Sequence, residues 1–268
     1  MPFRIHTLHL GDLMVPWTHA VVKEPVHCWY VTDGTTRILV DSGMPGPAEL
    51  KRRLNLDSTG GGGEALVAAL RRVGTTPDAI DKVVLTHLHF DHAWNLDLLA
   101  NAQIVLQRDE LFHAIDPVPT QRIYYLRETL NAVLGRRRPK GLRLVEGDID
   151  LVPGVSLMKV PGHTPGIQAA IVATDRGRVA LVSDCGDSYA NWYPADPDAN
   201  PRPLRYLAGD FLPGLIRSEG ERVYAESMRR VLSRADIVVP AHDGRIPRTM
   251  PDEWFQIPAP VASGQRQT

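Results

Sequence analysis

Thr86-His87-Leu88-His89-Phe90-Asp91-His92 places four side chains of metal-ligand type within six positions of a 268-residue chain. It follows Lys82-Val83-Val84-Leu85, a short β-branched run that predicts a buried strand. Side chains two apart on an extended segment project to the same side, so His87 and His89 are expected to share a face. Asp91 and His92 fall where the chain should turn into a helix, which can aim two more ligands at a neighbouring point. Burying four such groups without a cation to coordinate would be costly. A metal site at a strand end is the expectation.

Working outward, residues 26–32 and 37–41 read as strands joined by an Asp33-Gly34 turn. Residues 48–54 and 64–73 read as helices on either side of Gly60 to Gly63. No Gly-Lys-Ser/Thr follows that run and no strand feeds it directly, so a flexible loop is expected rather than a phosphate cradle. Thr76-Pro77-Asp78 has the order of a helix start. Residues 108–134 are helical in pattern, split by Pro117 and Pro119. The basic cluster from Arg136 to Lys140 reads as a solvated helix end. Strands are expected at 142–145, 155–160, 169–174, 178–182 and 237–239, with Pro-rich loops at 193–213 and a helix near 219–232.

Two sets of strands, each with helices, predict an α/β fold of two sheets packed face to face with helices outside. One domain over residues 1–258 is expected, with a disordered tail at 259–268. The 30 basic and 31 acidic side chains nearly cancel. That balance argues against nucleic acid or an anionic membrane as partner, since both need a positive field. Cys28 and Cys185 read as buried free thiols. Pro2, Arg4 and His6 break any signal-peptide order, and no apolar run approaches the ~20 residues of a bilayer span. A cytoplasmic protein is expected.

Three further candidates sit at strand ends: His163 in Pro161-Gly162-His163-Thr164-Pro165-Gly166, Asp184 after Ser183, and His242 in Pro240-Ala241-His242-Asp243. With the histidine-rich stretch, they complete the ligand types of a two-metal site. In this order the motifs resemble the metallo-β-lactamase superfamily, and within it the branch of N-acyl-homoserine-lactonase-like hydrolases. The resemblance runs from about Val26 to Asp243. It implies a four-layer αββα sandwich with metals along one edge of the sheets. It also implies a ligand assignment: His87, His89 and His163 on one metal, Asp91, His92 and His242 on the other, and Asp184 between them.

Imidazole and carboxylate suit zinc better than magnesium or calcium, so two zinc ions per chain are expected, with manganese, cobalt or iron as alternatives. The metals would activate water for attack on the carbonyl carbon of a lactone or ester, with Asp91 passing a proton to the leaving group. Asp243 is read as either an acceptor for a ligating histidine or an ordinary turn aspartate.

Members of the branch carry a carbonyl-binding tyrosine shortly after the bridging aspartate. Tyr189 stands five positions beyond Asp184, whereas the three-residue spacing of some relatives falls on Asp187. Tyr189 is therefore an active-site hydroxyl or a packing residue. Trp17, Trp29, Trp94, Trp192 and Tyr193 are candidates for an apolar substrate wall.

The leading expectation is a metal-dependent lactonase or esterase acting on a small molecule, with homodimerisation left open. A thioesterase similar to glyoxalase II shares the seven ligands and binds its substrate through late basic residues; Arg245 and Arg248 are present but form no matching motif. An iron oxidoreductase on the same fold is disfavoured by His89, where flavodiiron members carry glutamate. A binding module with a vestigial site is disfavoured because no ligand is lost.

Overall fold

The computed structural model describes residues 1–17, 19–136 and 141–246. Its first sheet has seven strands: β1 (Arg4–Trp17), β2 (Ala20–Thr32), β3 (Arg37–Val40), β4 (Asp57–Gly60), β5 (Lys82–Val84), β6 (Gln103–Gln107) and β7 (Leu142–Val145), in the order β4-β1-β2-β3-β5-β6-β7. The second has five: β8 (Ile149–Val152), β9 (Val155–Lys159), β10 (Gln168–Thr174), β11 (Gly177–Ser183) and β12 (Ile237–Pro240), in the order β12-β11-β10-β9-β8.

Strand periodicity builds the layers. Ile38 and Val40, Val84, and Val105 face the second sheet, where Ala170, Val172, Val179, Leu181 and Val239 meet them in one core. After α1 (Pro47–Leu54), three helices cover the outer face, where the neighbours Leu39, Val83, Leu85, Ile104 and Leu106 turn onto Leu66 and Leu70 of α2 (Gly62–Arg72), Leu111 of α3 (Arg108–Ile115) and Val133 of α4 (Arg127–Leu134). On the far side, Ala169, Ile171, Ala180, Val182 and Val238 pack against Tyr224, Met228 and Val231 of the helix Glu221–Arg234. These strands are buried on both faces, so a one-residue slip would exchange two cores that differ in shape. The result is a four-layer αββα sandwich.

Several elements depart from the sequence reading. The 14-residue β1 shows no clean alternation in sequence, because Ile5 joins the inter-sheet core while Leu8 and Leu10 join the outer one, and its pairing with β2 then shifts register between His9 and Gly11. β6 and β8 are also additional, the former a continuous apolar run that merges into the helical pattern after it. The glycine run is fixed rather than loose. Gly61 N–H donates to Leu10 O at 2.7 Å and Gly62 N–H to Met44 O at 2.9 Å. Gly60, with φ +70°, lies so close to β1 that a Cβ would meet Leu10 O at 2.5 Å.

Pro77–Ala79 forms only a 3-10 turn. The Arg136 guanidinium donates to the carbonyls of Leu96 and Leu99, while residues 137–140 of the basic cluster lie outside the described residues. So do the expected tail at 259–268 and Arg248. Among the described residues, no helix is long and apolar enough to cross a membrane.

β3 and β5 run parallel, as do β11 and β12, and β9 shares the direction of β11 through the antiparallel β10 between them. The C-terminal ends of β9, β11 and β12 therefore gather at one edge of the second sheet. They meet there the end of β5, since Gln168 N–H donates to Thr86 O at 3.0 Å and Gln168 Nε2 to Leu85 O at 2.8 Å.

Candidate metal centre

The stretch Thr86 to His92 leaves β5 extended and then turns, with His92 N–H and Ala93 N–H both reaching His89 O. No α-helix follows; the next regular element is the 3-10 turn Leu96–Leu99. As expected from their spacing, His87 and His89 lie together, with ring centroids 4.5 Å apart. Loops from the other sheet bring in the rest. His163 comes from the turn after β9, Asp184 from the end of β11, and His242 from the end of β12.

The seven side chains form two groups able to hold an ion: His87, His89, His163 and Asp184, all buried, and Asp91, His92 and His242. Asp184 reaches both. Its Oδ2 lies 3.8 Å from His87 Nε2 and 3.3 Å from His163 Nε2, while Oδ1 lies 3.3 Å from His92 Nε2 and 3.2 Å from His242 Nε2. Asp91 Oδ2 is 3.5 Å from His92 Nε2 and 3.6 Å from His242 Nε2.

Four buried imidazole nitrogens, on His87, His89, His92 and His163, have no aligned hydrogen-bond partner. Such orphans are rare and call for a physical reason. A cation is a fitting one at His87 Nε2 and His92 Nε2, which stand 3.8 and 3.3 Å from the Asp184 oxygens; at His89 and His163 the nitrogens turned to one another are Nδ1 and Nε2, 3.0 Å apart, and the orphans are the other ring nitrogens. The charges agree. Burial, with neighbouring histidines adding to it, pushes His87 and His89 well below the ordinary imidazole range, and burial takes His163 down to about 4. These rings are neutral, the form that ligates. At His92 and His242 burial acts the same way but is outweighed by Asp184 and Asp91, which hold His92 well above its ordinary range and His242 up to about 10. Burial would raise Asp184, yet His92, His242 and His163 keep it well below the usual carboxylate range. Without a metal, protons on His92 and His242 thus balance the two carboxylates, and bound dications would take the place of those protons.

Outer contacts orient the rings. Asp41, at the end of β3 with φ +62°, sets Oδ2 2.8 Å from His92 Nδ1 and accepts from Thr86 N–H at 2.8 Å. Ser183 Oγ stands 3.2 Å from the same His92 nitrogen. His242 Nδ1 donates to Pro25 O at 2.9 Å, and His27 Nδ1 donates to the adjoining Ala241 O at 2.7 Å. Gln121 Nε2 donates to His163 O at 3.1 Å. None of these partners carries a sequence signal; Asp41 reads as a strand end and His27 as a strand interior.

Other candidates lie elsewhere. Tyr189 is 1% exposed in the inter-sheet core, with the Arg245 guanidinium 5.3 Å above its ring. Of the two seats expected for it, its ring takes one among packing side chains of that core, and its backbone N–H donates to Asp243 at 2.9 Å. Asp187 holds the loop of His242 with its backbone, accepting from His242 N–H at 2.9 Å, and burial together with Asp184 pushes its carboxyl up to about 8.

Asp243 accepts from Tyr189 N–H and from the N–H and guanidinium of Arg245, and so orients no histidine. Arg245 is committed to Asp243 and to Asp198 O. Trp29 and Trp192 are core residues, Tyr193 packs against both cores, and Trp94 lies under Arg53. The rings beside the ligands are instead Tyr124 and Tyr125, 5.0 and 4.8 Å from His89. Phe90 joins Leu13, Val26 and Met44 in a small apolar cluster. Cys28 and Cys185 are buried free thiols, and burial pushes both up, out of the reactive range.

The comparisons fit this geometry. The family model described as the metallo-beta-lactamase superfamily matches residues 21–242. An N-acyl homoserine lactonase of Bacillus cereus is 33% identical over 168 residues, 59% of this chain and 62% of that protein. Another, from Agrobacterium fabrum, is 28% identical over 188 residues, 65% of this chain and 67% of that protein. The chain thus spans just under two thirds of the Bacillus cereus relative. A solved N-acyl homoserine lactone hydrolase, with the product N-hexanoyl-L-homoserine at its catalytic metal center, superposes with a TM-score of 0.69 at 24% identity. The overlap covers 91% of this chain and 95% of that one, a likeness of fold. With a matching stretch that begins in β2 and ends on His242, and with two sheets that deliver seven ligand-type side chains to one edge, the chain belongs to the metallo-beta-lactamase superfamily.

Proposed function

We propose that this chain is a dinuclear metal-dependent hydrolase that opens a lactone ring, with an N-acyl homoserine lactone as the leading substrate and zinc as the leading metal. The observation that carries the reading is Asp184, whose two oxygens each face a different pair of imidazole nitrogens. Such a carboxylate is suited to bridge two cations. The curated relatives named above, all lactonases, support the substrate class.

His87, His89 and His163 would hold one metal, Asp91, His92 and His242 the other, and Asp184 both. Bound there, two divalent cations would supply Lewis-acid polarisation of a carbonyl and a water acidic enough to act as nucleophile near neutral pH. The protein's own part is orientation and proton handling. Burial keeps His87, His89 and His163 neutral, so their lone pairs face the cluster at working pH. Asp91 is the most open carboxylate of the set, its side chain 13% exposed against 8% for Asp184. In this reading it would take a proton at Oδ and return it to the alkoxide released by ring opening.

The test pairs metal analysis with a substrate panel. The wild-type protein should retain two metals per chain after dialysis and open an acyl homoserine lactone faster than it cleaves a glutathione thioester. Asp184→Ala and His87→Ala should lose metal and turnover together. Full metal content and activity in both variants would end the reading, and a preference for the thioester would move the substrate to the glyoxalase II type.

A further inference from the structure

The geometry points to Glu110 as the positioning residue of one metal half-site, joining the two loops that carry His87, His89 and His163. This rests on the dinuclear reading above. Glu110 is in the first turn of α3, where an acidic residue ordinarily faces solvent and favours the helix N-terminus. Here it is fully buried. Its Oε1 accepts Leu88 N–H at 2.9 Å and the Tyr125 hydroxyl at 3.0 Å, and its Oε2 accepts the Thr164 hydroxyl. Leu88 lies between His87 and His89, and Thr164 follows His163. One carboxylate therefore spans the histidine-rich turn and the Pro-Gly-His-Thr-Pro-Gly turn, which come from different sheets.

Its surroundings serve the same half. Tyr125, bonded to Glu110, sets its ring edge-on to His89 at 4.8 Å. Gly166 lies flat on the α3 backbone, where a Cβ would meet Glu110 N at 2.0 Å, so the second loop approaches as closely as a chain can. Across this span His163 Nε2 and His89 Nδ1 stand 3.0 Å apart, the spacing the carboxylate would fix. The other half has separate supports in Asp41, Ser183 and Pro25. Loosening Glu110 should thus weaken one metal and spare the second. Burying a carboxylate is costly unless hydrogen bonds satisfy it, and the three donors from Leu88, Tyr125 and Thr164 do so here.

The experiment is zinc titration against a competing chelator, with elemental analysis and the visible spectrum of the cobalt-substituted protein. The comparison is between wild type, Glu110→Leu, Glu110→Gln and Thr164→Val. The wild type should bind two metals. Glu110→Leu, which keeps volume but strands three donors, should bind one metal normally and the second about tenfold or more weakly, as outer-contact variants do. Its cobalt spectrum should change accordingly.

Glu110→Gln should restore both metals, because Oε1 can accept Leu88 N–H while Nε2 donates to Thr164 Oγ1. Thr164→Val should lie between. Two full-affinity metals in both Glu110→Leu and Thr164→Val would overturn the proposal, as would equal losses in the Gln and Leu variants. Should Glu110→Leu fail to fold, unchanged two-metal binding in Thr164→Val overturns it alone. A wild type that does not bind two metals removes the dinuclear reading itself, and the proposal with it.

Discussion

Asp41 Oδ2 lies 2.8 Å from His92 Nδ1, both side chains wholly buried, and this contact fixes which nitrogen of His92 faces the ligand cluster. With a carboxylate on that side, Nδ1 would keep the proton when a metal displaces the one on Nε2, leaving the Nε2 lone pair to the ion. Asp41→Asn changes the logic. An amide that still accepts Thr86 N–H turns its NH2 toward His92, so Nδ1 must become the acceptor and the proton moves to Nε2. The expected result is a metal affinity about 10–100-fold lower at one of the two sites. Chelator competition measures it, and an unchanged affinity would show that the tautomer is set elsewhere.

Removing the metals should also be visible as lost stability. Without cations the seven ligand-type side chains, the carboxylates of Asp91 and Asp184 among them, crowd together with no ion between them. Free metal about a thousandfold above Kd stabilises the fold by about 4 kcal/mol through linkage. At roughly 2–4 °C per kcal/mol for a chain of this size, chelation should lower Tm by about 8–16 °C. Calorimetry with and without chelator checks this, and a Tm indifferent to chelator would count against metal binding in the native state.

Much of this site is legible along the chain because its ligands are rare residue types at strand ends. The six-position cluster from His87 to His92 needs no tertiary knowledge. His163 is flagged by the glycines and prolines around it, and Asp184 and His242 by ending apolar runs. The supporting contacts are another matter. Glu110 is an ordinary helix-start acid by sequence, and only the docking of a second loop onto α3 makes it a buried span. Asp41 closes an unremarkable strand, and its role depends on β3 and β5 lying parallel so that it meets Thr86 and His92.

The same limit applies to β1, whose apolar side chains divide between two cores before its register shifts. It applies to Tyr189 as well, since the five-residue spacing from Asp184 spans the backbone turn that buries it. Periodicity and residue type report local geometry. Contacts between loops of different sheets require the fold.

Stability should also depend on pH through His27. The residue is 2% exposed, and burial takes its imidazole down to about 4 while Nδ1 donates to Ala241 O. In the unfolded chain it titrates near ~6.5. The unfolded state therefore binds the extra proton first as pH falls, and stability declines through the window between those values. From pH 7 to pH 5 the contribution is about 2 kcal/mol. Denaturant melts of metal-saturated wild type and His27→Asn should show the wild type losing that much more over the interval. Parallel pH profiles would mean that His27 titrates alike in the folded and unfolded chains.

Tyr189 offers the sharpest separation between family expectation and this fold. A hydroxyl that binds the substrate carbonyl costs about a hundredfold or more in turnover when removed. In this chain the ring is held in the inter-sheet core beneath Arg245, and its backbone N–H is fixed by Asp243 at 2.9 Å. Tyr189→Phe keeps the ring, the core and that backbone contact. Turnover and KM for an acyl homoserine lactone should therefore stay at the wild-type values, with any effect confined to Tm. A hundredfold fall in kcat at unchanged metal content would mean that the hydroxyl reaches the reacting carbonyl after all, and that the loop from Asp184 to Trp192 moves when substrate binds.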